Sequence, residues 1–285
     1  MIRLAHHTDF APERLLEAKD RTVTAVLPAR ECADTVGTVV ERIVSLGGLV
    51  DQVLVVDAAS ADGTAEVAAG AGAEVVQENE LLSELGRAKG KGDAMWRALA
   101  AARGDIVVYI DADTRDFSRA FVSGLVGPLL TDARAQFVKG TYKRPFSTGG
   151  EQVPGGGGRV SQLTARPLLD AFYPDLGGLT QPLSGEVAAS RTLFEQIPFA
   201  TGYAVETAML LDLRALIGAE AMVQVDLGER LNAHQSLEAL RPMADAVLAT
   251  VIERLRREGR LVADPPARRA IVERPPFASL RGAVA

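Results

Sequence analysis

The sequence predicts an α/β protein with a mostly parallel sheet that helices cover on both faces. In the first part of the chain, β-favouring runs and helical segments alternate in the order βαβαβ, followed by a further helix and strand. The runs are continuously apolar rather than alternating, which is typical of strands buried on both sides of a parallel sheet.

The elements of the first part can be assigned in order. A strand is predicted over Thr22–Ala29, followed by a helix that Asp34 caps and that Gly47 and Gly48 end. The remaining elements are a strand over 52–56, a short helix in DGTAEVAAGAG, a strand over 73–76, a helix in AMWRALAAARG and a strand in DIVVYI.

The second part is predicted as a continuation of the same single domain, 1–285. The expected elements are a strand in QFVKG, a helix opened by the glycines 155–158, a strand in GEVAAS, a helix in ETAMLLDLRALIG, a strand in MVQVDLG and a long helix over 237–258. The proline-rich tail over 261–285 is expected to be extended or mobile.

Composition excludes several classes of protein. A net charge of -6 argues against a nucleic-acid partner, whose phosphates select a basic surface. The single cysteine, Cys32, excludes a disulfide framework and fits a reducing compartment. No run of apolar residues is long enough for a membrane span, so we expect a cytoplasmic protein.

Carboxylates follow three of the predicted strands. Glu31, Asp57 and the pair Asp111 and Asp113 stand where ligands collect in doubly wound sheets, outside the carboxyl ends of the strands. In an extended chain, Asp111 and Asp113 face the same side. Carboxylates alone would repel phosphate groups, but a divalent cation bound between them would attract both. The alternative is that the two aspartates form an ordinary solvated turn.

Two glycine-rich segments are candidate anion sites. GRAKGKGDAMW places Lys91 just before a helix, and PGGGGRVSQLTARP places Arg159 and Ser161 at the start of another. A flexible loop and a flexible linker are the alternatives. Glu206 opens a helix, where it can also merely complement the helix dipole, and His234 follows the last strand, where it can ligate a metal or lie on the surface.

Nine segments in the same order make the chain resemble the glucosyl-3-phosphoglycerate synthases of actinobacteria and the related mannosyl-3-phosphoglycerate synthase. The segments, between about Arg21 and Glu258, are VLPA, VVDAASADGT, GKGDAMW, GDIVVYIDAD, FVSGLVGPLL, GGGRVSQLTARPLL, QPLSGEVAASR, PFATGYAVE and VDLG. The resemblance implies a GT-A-like fold, with a Rossmann-type nucleotide-sugar-binding half over about 21–140 continuous with an acceptor-binding half over about 141–260. It also implies a homodimer.

The resemblance implies a metal-dependent, retaining hexosyltransferase that uses a sugar nucleotide, D-3-phosphoglycerate and Mg²⁺ or Mn²⁺. The implied donor-binding residues are Pro28, Ala29, Arg30, Glu31, Asp57, Ala58, Lys91, Asp111 and Ala112. The implied acceptor residues are Gly158, Arg159, Ser161 and His234. Asp113 matches the metal ligand, and Glu206 the carboxylate that holds the donor sugar; with Arg159, these form the expected catalytic set.

The chain departs from the family pattern at three places. PARECA replaces P-A-x-N-E-E after the first strand, and Ala58 stands where serine is common. The usual H-R-N after the last strand is Asn232-Ala233-His234, so either Asn232 or His234 would complete the metal site. Asn232 would be the poorer ligand for softer metals.

The expected reaction transfers glucose from UDP-glucose, or mannose from GDP-mannose, to the 2-hydroxyl of 3-phosphoglycerate. Two other classes stay open at this stage. An inactive nucleotide-sugar-binding protein would explain the departures at Glu31, Cys32 and Asn232. A dinucleotide oxidoreductase would fit the α/β pattern, but no G-x-G-x-x-G follows the first strand.

Overall fold

The computed structural model describes residues 1–144, 146–148, 151–153, 158–230, 236–261 and 271–280. The strands among them are β1 (Arg3–His6), β2 (Val23–Ala29), β3 (Gln52–Asp57), β4 (Glu74–Gln77), β5 (Ile106–Tyr109), β6 (Phe137–Lys143), β7 (Phe146–Thr148), β8 (Glu151–Val153), β9 (Val187–Ser190), β10 (Phe199–Ala200), β11 (Met222–Glu229) and β12 (Glu273–Arg274). The helices are α1 (Pro12–Ala18), α2 (Ala33–Val44), α3 (Thr64–Gly70), α4 (Lys91–Ala98), α5 (Arg119–Thr131), α6 (Arg166–Phe172), α7 (Arg191–Phe194), α8 (Val205–Ile217) and α9 (Leu237–Arg257).

An eight-stranded sheet runs through both halves of the chain in the order β1-β11-β6-β9-β5-β2-β3-β4. Every neighbouring pair is parallel except those of β9, which lies antiparallel between β5 and β6. The beginning of β9 therefore lies beside the carboxyl ends of its neighbours. This single reversal adds the residues that precede β9 to the edge where ligands collect.

Helices cover both faces of the sheet, and successive strand residues serve opposite cores. In β5, Ile106 and Val108 enter a core with α2, α3 and α5, whereas Val107 and Tyr109 enter a core with α4, α6 and α8. This two-sided burial explains the continuous apolar runs and confirms the predicted α/β class with a mostly parallel sheet. No helix of the described residues has the length and apolar character needed to cross a membrane.

The predicted strands are confirmed, but the start and end of α2 differ from the prediction. Cys32, not Asp34, occupies the N-cap, and its side chain makes no capping hydrogen bond. The side chain of Asp62 accepts a hydrogen bond from the backbone N–H of Ala33 at 3.0 Å, so a neighbouring loop satisfies the helix end. Asp34 instead pairs with Arg115. The helix ends at Val44, before the predicted Gly47.

Two ends of the described chain are more ordered than the sequence suggests. β1 pairs in parallel with β11, and α1 buries Leu15 in the first core; neither element was predicted. Residues 271–280, hereafter the 271–280 segment, pair through β12 with β10 and pack Phe277 against Trp96 with ring centroids 5.2 Å apart. The segment is extended at Glu273–Arg274 and helical at Phe277–Leu280, and it is packed rather than mobile; residues 262–270 and 281–285 of the predicted tail lie outside the described residues.

Candidate active site

A cavity of about 710 Å³ opens at the carboxyl ends of the central strands. Its size is that of a site for a small-molecule ligand. The lining residues are Pro28, Ala29, Arg30, Cys32, Val56, Ala58, Ala59, Glu78, Asn79, Arg87, Ala88, Gly90, Lys91, Ala94, Asp111, Ala112, Asp113, Gly202 and Tyr203. Most of the residues expected to bind a nucleotide therefore share one cavity.

Lys91 joins two carboxylates that are far apart in sequence. Its Nζ lies 2.6 Å from Oδ1 of Asp111 and 3.1 Å from Oε1 of Glu206. Lys91 is the first residue of α4, Asp111 follows β5, and Glu206 lies in the first turn of α8. Burial opposes the charge of Lys91, but the two carboxylates outweigh it and raise its pKa above the ordinary value. Lys91 thus stays charged at neutral pH.

Arg230, just after β11, binds the other side of the aspartate pair. Its guanidinium lies 2.9 Å from Oδ2 of Asp111 and 3.1 Å from Oδ1 of Asp113, so both aspartates face one cation. It also contacts Glu186 and, at 3.0 Å, the hydroxyl of Tyr142. Burial works against ionisation of Asp111, yet Lys91 and Arg230 hold its pKa well below its usual range.

Gly185, two residues before β9, passes directly beside the ion pair. A Cβ atom there would lie 2.4 Å from Oδ1 of Asp111 and 2.5 Å from Nζ of Lys91. The next residue, Glu186, is fully buried and accepts a hydrogen bond from Tyr142 at 3.0 Å. Burial raises the pKa of Glu186 above its usual range, although Arg230 opposes the shift. The antiparallel strand thereby brings a buried acid to the site.

A second buried lysine lies beneath the cluster. Lys139, on β6, donates a hydrogen bond to the carbonyl of Ser184 at 2.8 Å, and the Ser184 hydroxyl donates to the carbonyl of Gly140. Burial lowers the pKa of Lys139 to about 8, against the pull of Glu206 and Glu186. Lys139 therefore fixes the backbone that leads into Gly185 and Glu186.

Two predicted donor residues point into neighbouring loops instead of lining the cavity. The carboxylate of Glu31 accepts a hydrogen bond from the backbone of Ala61 at 2.9 Å, and Glu31 itself has a left-handed φ of 47°. Asp57 accepts hydrogen bonds from Ser60 and Gln77 at 3.1 and 3.0 Å. Its other oxygen, Oδ1, is buried and has no hydrogen-bond partner among the described residues.

The predicted acceptor segment lies beside the second half of the sheet. Gly158 has a φ of +72°, and a Cβ atom there would lie 3.0 Å from the side-chain oxygen of Gln181. Arg159 follows, and Ser161 is buried at the start of a π-helical turn, Ser161–Ala165. None of Gly158, Arg159 and Ser161 is among the cavity-lining residues of the described chain.

The predicted metal ligands are only partly described. Asp113 lines the cavity, but Asn232 and His234 lie outside the described residues. Within residues that are described, no three His, Cys, Asp or Glu side chains come together in a way that could hold a metal ion. The choice between Asn232 and His234 stays a prediction.

The profile of glycosyl transferase family 2 matches residues 24–201, more than half of the chain. The chain belongs to glycosyl transferase family 2. The matched range includes Lys91, Asp111, Asp113 and the reversed strand β9, whereas Glu206 and Arg230 lie beyond it.

Relatives of this family 2 glycosyltransferase include the glucosyl-3-phosphoglycerate synthase of Mycolicibacterium paratuberculosis, 46% identical over 238 residues that cover 82% of the chain and 72% of the relative. Mannosyl-3-phosphoglycerate synthase from Rubrobacter xylanophilus superimposes with a TM-score of 0.90 at 47% identity, over 98% of this chain and 97% of that one. Glucosyl-3-phosphoglycerate synthase from Mycobacterium tuberculosis, bound to Mn²⁺, UDP-glucose and phosphoglyceric acid, gives 0.86 at 40% identity, over 98% and 99%. These matches confirm the resemblance, the GT-A-like fold and a hexosyltransferase.

Sequence reasoning missed several residues of this glycosyltransferase site. Arg230 is adjacent to the segment that drew attention to Asn232 and His234, and its position just after the last strand was the available signal. Glu186 was predicted only as part of a strand. In a parallel sheet the first residue of a strand lies at the edge away from the ligand site, and nothing in the sequence indicated that β9 is reversed. Tyr142 and Lys139 lie within β6, where the pattern of apolar and polar residues did not indicate that they belong to the site.

Proposed function

We propose that this glycosyltransferase moves glucose from UDP-glucose to the 2-hydroxyl of D-3-phosphoglycerate, giving glucosyl-3-phosphoglycerate with retention of configuration. The observation that carries the proposal is the cluster at the mouth of the cavity, in which Lys91 joins Asp111 to Glu206. The cluster combines a cation with two carboxylates beside a nucleotide-sized cavity, which suits a sugar diphosphate. The cation can bind the phosphate groups, and the carboxylates can accept hydrogen bonds from the sugar hydroxyl groups.

A divalent metal ion is the cofactor of this reaction, and Asp113 is the described residue that fits it. Its side chain is 70% exposed and only Oδ1 meets Arg230, so Oδ2 remains for a hard cation. Asp111 does not offer this, because Lys91 and Arg230 occupy its two oxygens. A bound Mg²⁺ or Mn²⁺ would supply positive charge where the diphosphate departs.

The acceptor half of the proposal rests on the segment that begins at Gly158. A glycine with positive φ followed by Arg159 and the start of a helical segment offers backbone N–H groups and a guanidinium to an anion. We assign the phosphate and carboxylate of 3-phosphoglycerate to Gly158, Arg159 and Ser161. Because both charged ends of the short 3-phosphoglycerate molecule are bound, its 2-hydroxyl is oriented toward the anomeric carbon of the donor.

In the proposed chemistry, the acceptor oxygen bonds to the anomeric carbon while the bond from that carbon to the diphosphate oxygen breaks. The hydroxyl proton passes to the departing phosphate, and both events occur on one face of the sugar. Glu206 holds donor hydroxyl groups in this scheme. Its pairing with Lys91 at 3.1 Å makes its carboxylate a poor nucleophile, which agrees with a front-face substitution that retains configuration without a glycosyl-enzyme.

Mannose transfer from GDP-mannose is the second candidate, because the mannosyl-3-phosphoglycerate synthase of R. xylanophilus is 47% identical to the chain. Incubation of the protein with 3-phosphoglycerate, Mg²⁺ and either UDP-glucose or GDP-mannose, followed by mass and NMR analysis of the product, separates the two. We expect turnover with UDP-glucose but not with GDP-mannose, and we expect EDTA to abolish it. Donor binding without any turnover would instead indicate an inactive sugar-nucleotide-binding protein.

A homodimer and a cytoplasmic location complete the proposal. Leu237 and Leu248 of α9 are 70% and 43% exposed, and a dimer interface would cover such residues. One buried free thiol, Cys32, fits a reducing compartment. Light scattering of the purified protein tests the dimer, which a monomeric mass would contradict.

A further inference from the structure

The 271–280 segment places a cation against the helix that begins at Lys91. Arg274 binds Asp93 of α4 with two hydrogen bonds, from Nε to Oδ1 at 2.8 Å and from a terminal nitrogen to Oδ2 at 2.9 Å. The Asp93 side chain is completely buried, and 13% of the Arg274 side chain is exposed. A bidentate pair of this kind is strong and fixes the direction of both side chains.

Asp93 links Arg274 to the loop before α4. Its Oδ2 accepts the backbone N–H of Lys89 at 2.8 Å, and its Oδ1 accepts Nε of Arg97 at 3.2 Å. Arg97, also fully buried, donates in turn to the carbonyls of Leu82 at 3.2 Å and Gly86 at 2.5 Å. Arg274 and Arg97 thus both bind the carboxylate of Asp93. Asp93 and Arg97 in turn bind backbone groups of the loop.

The loop held in this way is one wall of the cavity. Residues 78–90 contribute Glu78, Asn79, Arg87, Ala88 and Gly90 to the lining. Gly202 and Tyr203, which follow β10, also line the cavity, and a Cβ atom at Gly90 would lie 3.4 Å from Cα of Gly202, so the two lining stretches meet. β10 pairs with β12 of the 271–280 segment. The 271–280 segment therefore contacts the supports of both lining stretches.

We propose that Arg274 is a positioning residue for donor binding. Through Asp93 it sets the 78–90 loop, and through the loop it sets the affinity of the cavity for the sugar nucleotide. The proposal rests on the proposed function for the identity of that ligand. Among the described residues Arg274 contacts Asp93, Trp96 and β10 but not the predicted acceptor segment 158–161, so its effect falls on the donor alone.

The chain offers a conservative variant and a matched control. Arg274→Lys keeps the charge but can reach Asp93 at only one point, whereas Arg274→Ala leaves Asp93 to Arg97 and the Lys89 amide. Arg257 contacts the same segment at Glu273 from the solvent side, with 45% of its side chain exposed. Arg257→Ala therefore removes a contact to the segment without touching the path to the loop.

The experiment combines steady-state kinetics with hydrogen–deuterium exchange on the full-length wild type and the three variants. We expect Arg274→Ala to raise the KM for UDP-glucose about tenfold, which corresponds to about 1.4 kcal/mol of lost donor binding. The KM for 3-phosphoglycerate stays unchanged, exchange in peptides covering 78–90 accelerates, and Arg274→Lys restores part of both effects. Arg257→Ala behaves like the wild type.

The single tryptophan provides a check that the segment stays in place. Trp96 donates a hydrogen bond to the carbonyl of Pro275 at 2.9 Å and packs against Phe277, so release of the segment shifts its fluorescence. The Arg274 guanidinium itself lies 5.5 Å from the centroid of the Trp96 ring, so its removal changes the emission on its own, and the check is acrylamide quenching of Trp96 instead. Unchanged quenching in Arg274→Ala, together with the expected kinetics, supports positioning by Arg274 itself.

Three results would overturn the proposal: an equal rise of both KM values, an unchanged donor KM, or unchanged exchange over 78–90. Failure of the proposed function shows differently, since the wild type would then turn over neither UDP-glucose nor GDP-mannose. In that case the exchange comparison still decides whether Arg274 sets the loop.

Discussion

At the scale of single residues, Arg230 does most to hold the site together. Its buried guanidinium contacts Asp111, Asp113, Glu186 and Tyr142, which come from three different parts of the chain. Because Glu186 is fully buried and Asp111 is largely enclosed, loss of the cation leaves charges that neither water nor another side chain can fully solvate. The residue therefore matters for stability as well as for the charge balance of the site.

Replacement of Arg230 by Met should lower the free energy of unfolding by about 3–5 kcal/mol, because it leaves the buried carboxylate of Glu186 without its cation. Urea denaturation followed by circular dichroism measures the change. The control is Arg115→Met, which breaks an ion pair with Asp34 whose members are 74% and 61% exposed. That change should cost less than about 0.5 kcal/mol. Equal losses in the two variants would refute the special role of Arg230.

Lys139 should make stability depend on pH in an unusual direction. Its pKa is about 8 in the folded protein and about 10.4 in an unfolded chain, so between these values the unfolded state binds the extra proton. The free energy of unfolding of the wild type should therefore rise with pH relative to Lys139→Met, by on the order of 3 kcal/mol between pH 7 and 11. Parallel denaturation curves at both pH values measure it, and a constant difference would contradict the prediction.

At the scale of elements, the strands that the sequence predicted well are those with local apolar runs. β2, β3 and β5 are of this kind, and the residues after them were identified as ligand-binding positions for that reason. The direction of β9 could not be predicted, because it depends on pairing with β5 and β6 rather than on its own residues. Glu186 was missed in consequence.

The approach to β9 gives a prediction that combines activity with folding. Gly185→Ala places a methyl group 2.4 Å from Oδ1 of Asp111 and 2.5 Å from Nζ of Lys91, which must separate. A displacement of this size should lower kcat/KM on the order of a hundredfold while the protein remains folded. Gly178→Ala is the control, since its Cβ meets nothing within 4 Å. Comparable activity of the two variants would show that the ion pair tolerates displacement.

At the scale of the whole molecule, the sheet reaches further toward the start of the chain than its sequence suggests. RLAH is too short and too polar to be recognised as a strand, yet β1 pairs along the edge of β11, whose end leads to Arg230. The 271–280 segment was likewise unpredictable, because its partners are some 180 residues earlier in the chain, at Asp93 and Trp96. Long-range packing of this kind leaves no local pattern.

Adjacent leucines in α1 test whether this early part belongs to the first core. Leu15 is 2% exposed and Leu16 is 42% exposed. Leu15→Ala should cost about 2–5 kcal/mol of unfolding free energy, the usual range for a buried leucine, and Leu16→Ala less than about 1 kcal/mol. Thermal denaturation of both variants measures the difference. Two small, similar losses would mean that α1 is not part of the cooperative unit.

The residue at the N-cap of α2 has a practical consequence. Cys32 is the only cysteine in the sequence, it is 3% exposed, and burial raises the pKa of its thiol. A protonated, enclosed thiol reacts slowly with maleimides. A cysteine introduced on the surface, for example at Ser279, can therefore be labelled selectively in the otherwise native chain. Spin or fluorescent labels could then follow distances across the molecule during catalysis.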